Sequence, residues 1–242
     1  MSESESKPSP GLYDGFGARF PRYARVVVLL LAIVVVLASF YFAQRSGVDP
    51  NAYGNDFSVY FFAASEVIHG RDPYQNSLGA WTPYLYPPLL AELLVPLALV
   101  PLPVAAYIWS LISIGSLVAA AWMSTALTNA SSRMMVAVLA AFVVVRFALD
   151  NFDYGQVNVI VAALAVAHIF LYERNRKGWS MVAFVLAASI KLTPAILIFY
   201  HLGKRRFRFA AVCAAILIAV SALSFAPFGS AAPEAVQTFV QR

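Results

Sequence analysis

The sequence has few charged residues and a single cysteine. Only 12% of its 242 residues are Asp, Glu, Lys or Arg, whereas 61% are hydrophobic. A soluble domain carries about one quarter charged residues, so this composition excludes an ordinary soluble protein and indicates a membrane protein. The one cysteine, Cys213, lies in an apolar run and has no partner for an internal disulfide.

The sequence motifs of several enzyme classes are also missing. There is no HExxH, no Gly-rich phosphate loop, no GxSxG and no pair of cysteines. The three histidines are scattered without metal-ligand spacing, so we expect no metal and no cofactor. No D-x-D follows the first acidic site, which argues against a nucleotide-sugar enzyme with a soluble catalytic domain. The net charge of +5 comes from basic clusters at the ends of apolar runs and does not indicate nucleic-acid binding.

The apolar runs predict an all-α fold, namely a polytopic bundle of transmembrane helices. The first run, Val26–Ala43, is long for a signal peptide and no A-x-A site follows it, which favours a retained helix. Several later runs are shorter than the roughly 20 residues of a straight span, and prolines interrupt them. Broken helices are tolerated at membrane depth where protein or a cavity covers them, so we expect a compact bundle that contains a site. The later runs are Pro88–Val100, Val104–Leu127, Met134–Leu149, Val157–Tyr172, Trp179–Ile190, Pro194–Leu202 and Phe209–Phe225.

Basic residues predict the orientation and the domains. Residues 1–25 form a polar segment that we expect to be a disordered cytoplasmic tail, and residues 26–242 form one transmembrane module, which we expect to be truncated at its C-terminus. More arginines precede the first apolar run than follow it, so the predicted protein is a multi-pass protein of the plasma membrane with a cytoplasmic N-terminus. The loop 44–87 is then external.

Two later basic loops, Glu173–Lys177 and Lys204–Arg208, are expected to be cytoplasmic as well. The segment between them must therefore enter and return as a hairpin that turns near Lys191. This places Asp150–Gln156 outside, on the side of the 44–87 loop. One apolar run is then in excess between the two outside loops, and we expect Pro88–Val100 to be re-entrant or to pair with its neighbour.

Candidate site residues begin in the external loop, at Asp56. Apolar residues follow Asp56 at helical spacing, which predicts an amphipathic helix at the membrane interface with aromatic anchors such as Phe57 and Tyr60. Asp56 falls in the first turn, where a carboxylate either stabilises the helix or carries chemistry. The adjacent Arg71 and Asp72 are typical of a solvated loop. Three tyrosines either stack on sugars or form an interfacial aromatic belt. They are Tyr74, Tyr84 and Tyr86.

Other polar residues interrupt the later apolar runs. Gln156 and Asn158 open a helix, where amides either bind an anion or a hydroxyl-rich ligand or serve as caps. Lys191 lies between two apolar runs in a region without acidic residues, so it either snorkels or binds an anion such as a lipid phosphate. Glu92 and Arg146 also lie inside apolar runs and are predicted to pair with each other.

Five motifs in order carry a family resemblance. They are Asp56-Phe57-Ser58-Val59-Tyr60, Gly70-Arg71-Asp72-Pro73-Tyr74, Tyr86-Pro87-Pro88, Tyr154-Gly155-Gln156-Val157-Asn158 and Ile190-Lys191-Leu192-Thr193-Pro194. In this order they resemble glycosyltransferase family 87, the polyprenyl-phosphate-mannose-dependent mannosyltransferases of the GT-C superfamily. The resemblance covers roughly residues 56–225, and family members are usually much longer.

The resemblance implies a function and a role for each residue. The donor is a sugar, mannose in this family, on a polyprenyl phosphate, and the acceptor is a lipid or a glycan on the outer face of the membrane. Asp56 is implied as the general base of an inverting transfer, with Lys191 and Arg71 on the donor phosphate. The sugar or the acceptor is expected to contact a set of polar and aromatic residues: Tyr60, Asp72, Tyr74, Tyr86, Gln156 and Asn158.

Two other interpretations remain open at this stage. A non-enzymatic transporter or flippase of lipid-linked sugars also suits broken helices and an intramembrane lysine. A transporter would place its charges near the midplane of the membrane, whereas an acid beside aromatics on an outer loop favours a transferase. An inactive fragment is the third interpretation, which the short chain favours.

Overall fold

The fold is known from a computed structural model, which describes residues 22–47, 56–75, 82–128 and 133–241. These residues form α-helices and short 3₁₀ turns, with no strand among them, which confirms the all-α prediction. The helices are α1 (Arg22–Gly47), α2 (Asp56–Ile68), α3 (Pro88–Leu93), α4 (Val95–Ala98), α5 (Leu102–Ala126), α6 (Arg133–Asp153), α7 (Asn158–Glu173), α8 (Lys177–Ile190), α9 (Leu197–Gly203), α10 (Phe207–Leu223) and α11 (Ala232–Gln241). Two 3₁₀ turns, Thr193–Ile196 and Ala226–Ala231, precede α9 and α11.

Two helical segments are long and apolar enough to cross a membrane: Leu102–Ala126 and Phe207–Gly229. The first is α5, which begins after Pro101 and carries a proline in its first turn, where the missing N–H costs no hydrogen bond. The second combines α10 with part of the following 3₁₀ turn. Both were predicted as apolar runs, so the membrane character of these two segments agrees with the sequence.

The first helix and the proline-rich run differ in detail from the prediction. Helix α1 begins at Arg22, so the last four residues of the predicted disordered tail are helical, and residues 1–21 lie outside the described part of the chain. The run Pro88–Val100 forms two short helices, α3 and α4, each with a proline near its start. It is short and broken as expected.

The predicted hairpin around Lys191 is present. Helix α8 ends at Ile190, Lys191 is extended with φ −147° and ψ 128°, and Pro194 lies in the 3₁₀ turn that leads into α9. The start of α8 and the end of α9 both contact His168 of α7. Its imidazole contacts the Ser180 carbonyl at 2.9 Å and the His201 ring nitrogen at 2.8 Å. The two helices therefore return to the same end of the bundle.

The two basic loops also lie at that end. Arg206, which precedes α10, contacts the carboxylate of Glu173, which ends α7, at 3.4 Å. The Tyr200 hydroxyl donates a hydrogen bond to the same carboxylate over 3.2 Å. Lys191 is a full α8 length away, about 20 Å along the helix axis. The end of the bundle that carries the basic loops is therefore opposite to the end that carries Lys191.

Helix α2 packs inside the protein, which corrects the prediction that its aromatics are interfacial anchors. Phe57 and Tyr60 are buried. The Phe57 ring stacks on the Trp109 indole of α5 at a centroid distance of 5.4 Å, and the Tyr60 ring meets the same indole at 5.9 Å. Aromatic pairs of this kind stabilise by about 0.5–1.5 kcal/mol beyond area burial. The apolar face of α2 is thus turned toward α5, and this packing fixes the position of Asp56.

The predicted pair of Glu92 and Arg146 is wrong. Arg146 contacts Asp150, four residues later in α6, at 3.3 Å. The Glu92 carboxylate has one buried oxygen without a hydrogen-bond partner among the described residues. The local pair forms because residues four apart face each other on a helix.

Candidate active site

Asp56 is the first residue of α2 and lies against the turn that joins α6 to α7. Its backbone N–H donates a hydrogen bond to the Tyr154 carbonyl over 2.9 Å. Burial raises the pKa of the Asp56 carboxyl above its ordinary value, while a hydrogen bond from the Gln156 side chain and the charge of Lys191 oppose that rise. Asp56 is therefore a partly desolvated carboxylate, which makes it a stronger base than an exposed aspartate.

The turn from α6 to α7 has its own hydrogen bonds. Gly155 adopts a φ of +63°, a conformation that glycine tolerates and most residues do not. The Trp109 indole N–H donates to the Gly155 carbonyl over 2.9 Å. Asn151 accepts from the Gln156 backbone N–H at 2.8 Å, and its side-chain oxygen accepts from the Val159 backbone N–H at 3.2 Å. These bonds place the side chains that follow the turn beside Asp56.

Two amides connect Lys191 to Asp56. The Lys191 ammonium donates to Asn158 Oδ1 over 2.7 Å, and Asn158 Nδ2 donates to Gln156 Oε1 over 2.7 Å. An ammonium only donates, so Asn158 must turn its oxygen toward Lys191 and its nitrogen toward Gln156. The amide nitrogen of Gln156 then faces the Asp56 carboxylate. We call these four residues the amide chain. It sets the orientation of both amides without ambiguity.

Two tyrosine hydroxyls form the second polar connection. The Val157 backbone N–H bonds to the Tyr60 hydroxyl, and that hydroxyl donates to the Tyr86 hydroxyl over 3.0 Å. Because a backbone N–H can only donate, Tyr60 uses its own proton toward Tyr86. Tyr86 is only partly buried, and because its hydroxyl accepts from Tyr60 it keeps its own proton to donate to another group. Tyr86 is thus the member of the pair that is able to contact a ligand.

Lys191 lies beside Tyr86 at the mouth of the site. Its ammonium is 5.8 Å from the centroid of the Tyr86 ring. Among the residues that the structure describes, no carboxylate lies within 4.0 Å of Lys191. Asp56 acts on Lys191 through charge at longer range. The ammonium therefore has one neutral hydrogen-bond acceptor, Asn158, and capacity for an anion.

Arg71 is held at the other end of α2. Its guanidinium pairs with the buried carboxylate of Glu66. Glu66 is ten residues after Asp56, about 15 Å along the helix axis. The structure therefore does not bring Arg71 into the cluster around Asp56, and its predicted contact with a donor phosphate gains no support.

Asp72 and Tyr74 are buried and support Tyr86. Asp72 accepts a hydrogen bond from the Tyr74 backbone N–H over 2.9 Å, and the Tyr74 hydroxyl donates to the Tyr86 carbonyl over 2.9 Å. The Tyr74 ring is 1% exposed and packs against Tyr84 and Phe239. No ring face of Tyr74 is left for a sugar, so the expectation that it stacks on one is not met. Tyr60, also 1% exposed, can contact a ligand only through Tyr86.

Comparison with known proteins decides the family. The sequence model of glycosyltransferase family 87 matches residues 84–241. The chain belongs to glycosyltransferase family 87. No solved structure matches the chain.

Three relatives illustrate the similarity to named members of family 87. A "polyprenol-phosphate-mannose-dependent alpha-(1-2)-phosphatidylinositol pentamannoside mannosyltransferase" of Mycolicibacterium smegmatis is 36% identical over 62% of this chain and 36% of its own length. A protein of the same description from Mycobacterium tuberculosis (strain CDC 1551 / Oshkosh) is 29% identical over 86% of this chain and 49% of its own. The phosphatidylinositol mannoside mannosyltransferase of Mycobacterium tuberculosis (strain ATCC 25618 / H37Rv) is 28% identical over 86% of this chain and 53% of its own. The chain thus spans about one third to one half of these relatives.

The family match includes most of the cluster but not Asp56. Tyr86, Gln156, Asn158 and Lys191 lie within residues 84–241, whereas Asp56 precedes them. The geometry, rather than the match, is what associates Asp56 with the family 87 region. Among the described residues, no group of three or more His, Cys, Asp or Glu side chains is arranged to hold a metal ion.

The sequence did not identify two residues that hold the site in place. Trp109 fixes the Gly155 carbonyl from 46 positions away, and nothing in its apolar surroundings indicates that role. Asn151 caps the start of α7 by accepting the Val159 N–H. Its place in the polar stretch before Gly155 is a signal that capping rules could have used.

Proposed function

We propose that the chain is the donor-binding and base-carrying part of a mannosyltransferase that uses a polyprenyl-phosphate mannose donor. The observation that carries this proposal is the amide chain, which joins a desolvated carboxylate to an ammonium that has no ion pair among the described residues. Such a site has one group that accepts a proton and another that stabilises an anion. The names of the family 87 relatives supply the donor class.

The reaction step follows from these two groups. An acceptor hydroxyl gives its proton to the Asp56 carboxylate, and its oxygen forms a bond to the anomeric carbon of the sugar. The bond from that carbon to the phosphate oxygen breaks, and the polyprenyl phosphate leaves with the electron pair. Lys191 stabilises the phosphate charge, and the single displacement inverts the configuration. A positioned base contributes roughly 10²–10⁴-fold and a preorganised cation a comparable factor.

Gln156 and Asn158 are assigned a different role from the one that the sequence suggested. Their amide groups bond to each other, to Lys191 and to Asp56. They therefore orient the base and the cation, and we do not propose direct contact with the sugar. Tyr86, whose hydroxyl still has a proton to donate, remains the residue proposed to contact the sugar or the acceptor.

The site is proposed to face the outside of the plasma membrane. The end of the bundle that carries the basic loops is opposite to the Lys191 end, and basic loops are retained in the cytoplasm. A multi-pass arrangement with a cytoplasmic N-terminus places Asp56 at the outer end of the bundle. The acceptor is a lipid or a glycan on that face, in keeping with the phosphatidylinositol mannosides in the names of the relatives.

The test is transfer of radiolabelled mannose. Membranes that contain the chain are incubated with polyprenyl-phosphate [¹⁴C]mannose and an acceptor lipid, and labelled lipids are separated. Transfer that depends on the chain supports the proposal. Movement of the intact labelled donor across vesicles without covalent transfer supports the alternative of a flippase, and no change of either kind supports an inactive fragment.

A further inference from the structure

An apolar groove begins at Lys191 and extends away from Asp56 along α7. Its cavity volume is about 370 Å³. We call it the α7 groove, and it is lined by one face of α7, the Lys191 turn and the start of α9. Its lining residues are Asn158, Val161, Ala162, Ala165, Lys191, Thr193, Pro194, Ile196 and Leu197.

The polarity of the α7 groove changes along its length. The polar lining residues, Asn158, Lys191 and Thr193, all lie at the Lys191 end, and the remaining residues are apolar. From Asn158 to Ala165 the groove follows α7 for about 10 Å. Ala162 and Ile196 are exposed, so the groove is open along one side. A ligand that matches this lining has an anionic head and an apolar tail.

We propose that the first isoprene units of the donor lipid lie in the α7 groove, with the phosphate at the Lys191 ammonium. This inference rests on the proposed function and adds the path of the lipid. The ammonium uses one N–H toward Asn158 and keeps two for phosphate oxygens. The apolar lining beyond it gives an isoprene chain close van der Waals contacts and no hydrogen-bonding group to leave unsatisfied.

A second groove adjoins the Lys191 turn and includes Leu192 in its lining. Its volume is about 340 Å³, and its lining includes Lys191, Thr193, Leu85, Tyr86 and Phe239. The two grooves therefore share the Lys191 turn as their common wall.

Tyr86 lines the second groove, and the charge of Asp56 acts on its hydroxyl. The Tyr86 hydroxyl in its wall belongs to the polar connection that adjoins Asp56. An inverting displacement requires the nucleophile and the leaving group on opposite faces of the sugar. With the acceptor on the Tyr86 side, the phosphate and its tail fall on the α7 side.

The experiment is photo-crosslinking of the whole chain in nanodiscs. The probe is a polyprenyl phosphate with a diazirine on the isoprene unit nearest the phosphate, and labelled peptides are mapped by mass spectrometry. We expect labels on α7 between Asn158 and Ala165 and on the Ile196–Leu197 segment. An unphosphorylated polyprenol with the same diazirine should label these positions at least fivefold less, because it lacks the charge that Lys191 binds.

Filling the α7 groove should displace the probe. Ala162→Leu adds bulk at an exposed position and is expected to reduce labelling at least fivefold without affecting folding. Ala165→Leu, deeper in the groove, should do the same. The matched control is Ala215→Leu, which adds the same bulk to an exposed position of α10 outside both grooves, and labelling should stay within twofold of the wild type.

Two results would overturn the inference. One is labelling concentrated at Leu85 or Phe239 of the second groove, and the other is full labelling of the Ala162→Leu variant. The mannose-transfer assay separates these failures from failure of the proposed function. Transfer with labels in the second groove refutes only the lipid path, whereas labels in the α7 groove without any transfer refute only the transferase.

Discussion

Asn158→Ala tests the amide chain at its centre. The substitution removes the acceptor of the Lys191 ammonium and the donor to Gln156, which are two hydrogen bonds of 2.7 Å. A hydrogen bond of this class contributes about 0.5–3 kcal/mol, the upper part when a charge is involved. A combined loss of about 1.4–3 kcal/mol in transition-state stabilisation corresponds to a tenfold to roughly hundredfold lower kcat/KM.

The pH dependence makes this test specific. The Gln156 hydrogen bond favours the ionised form of Asp56 and lowers its pKa, opposing the effect of burial. When Gln156 loses its partner, the pKa of Asp56 should rise further. At low pH, kcat/KM falls as Asp56 becomes protonated, and in the wild type the midpoint of this fall should lie above the ordinary carboxyl pKa of 3.8. In the variant the midpoint should move to still higher pH.

The assay measures kcat/KM for mannose transfer from pH 4 to 8 (roughly the range in which a raised carboxyl titrates). Gln237→Ala is the control, because it removes an exposed amide in α11 that lines neither groove. A variant at Asn158 with kcat/KM within twofold of the wild type and an unmoved midpoint would refute the reasoning that the two amides orient the base.

Three further predictions follow from the same contacts. Lys191→Gln should raise the donor KM at least tenfold with normal expression, because it removes the ammonium proposed to bind the donor phosphate. An unchanged KM would argue against this role, and failed expression would favour a structural one. Trp109→Phe should lower the free energy of unfolding by about 1 kcal/mol, because the hydrogen bond to Gly155 is lost, and denaturant titration in detergent measures this. A cysteine placed at exposed Gln75 should react with an impermeant maleimide in intact cells, whereas one at exposed Asn175 should react only after permeabilisation; the reverse pattern would invert the orientation.

The polar members of the site were predictable because they interrupt apolar sequence. Lys191 stands out against hydrophobic neighbours, and Gln156 and Asn158 belong to a polar stretch between two apolar runs. A polar group in such a place needs a partner or a function. The structure brings these residues and Asp56 into one hydrogen-bonded cluster. The hairpin was predictable for a similar reason, since the basic loops on either side of it require the chain to return.

The incorrect predictions concern which tyrosines are buried and which charged residues form ion pairs. Tyr74 and Tyr86 look alike in sequence, but contacts with Phe239, 165 positions later, bury one and not the other. No local pattern carries that information. The Arg146 pair was different, because its partner lies four residues away on the same helix and the i,i+4 rule predicts it.

The sequence predicted that α2 lies at the membrane interface, whereas the structure shows it buried, and this difference has a physical explanation. The aromatic stripe of Phe57 and Tyr60 suits a membrane interface and a protein interior equally well. The Trp109 indole decides between them, because it offers a stacking partner and a hydrogen-bond donor that fix the neighbouring turn. Its effect on the helix follows from tertiary structure alone.

Asp56→Asn removes the proposed proton acceptor and leaves the shape of the side chain nearly unchanged. Asn keeps the size of the side chain and suits the start of a helix about as well as Asp. The sign of the pKa shift predicts that stability is retained. Folding raises the pKa of Asp56, so the fold favours the neutral form, and a neutral amide should not lower the free energy of unfolding at neutral pH.

The measurement is the single-turnover rate of radiolabelled mannose transfer by wild-type and Asp56→Asn protein at equal membrane concentration. We expect the variant to fold normally, bind the donor and transfer mannose at least about 10²-fold more slowly, because it lacks the proton acceptor. Glu234→Gln, which neutralises an exposed carboxylate in α11, should transfer at the wild-type rate. Wild-type transfer by Asp56→Asn would contradict the assignment of Asp56 as the base.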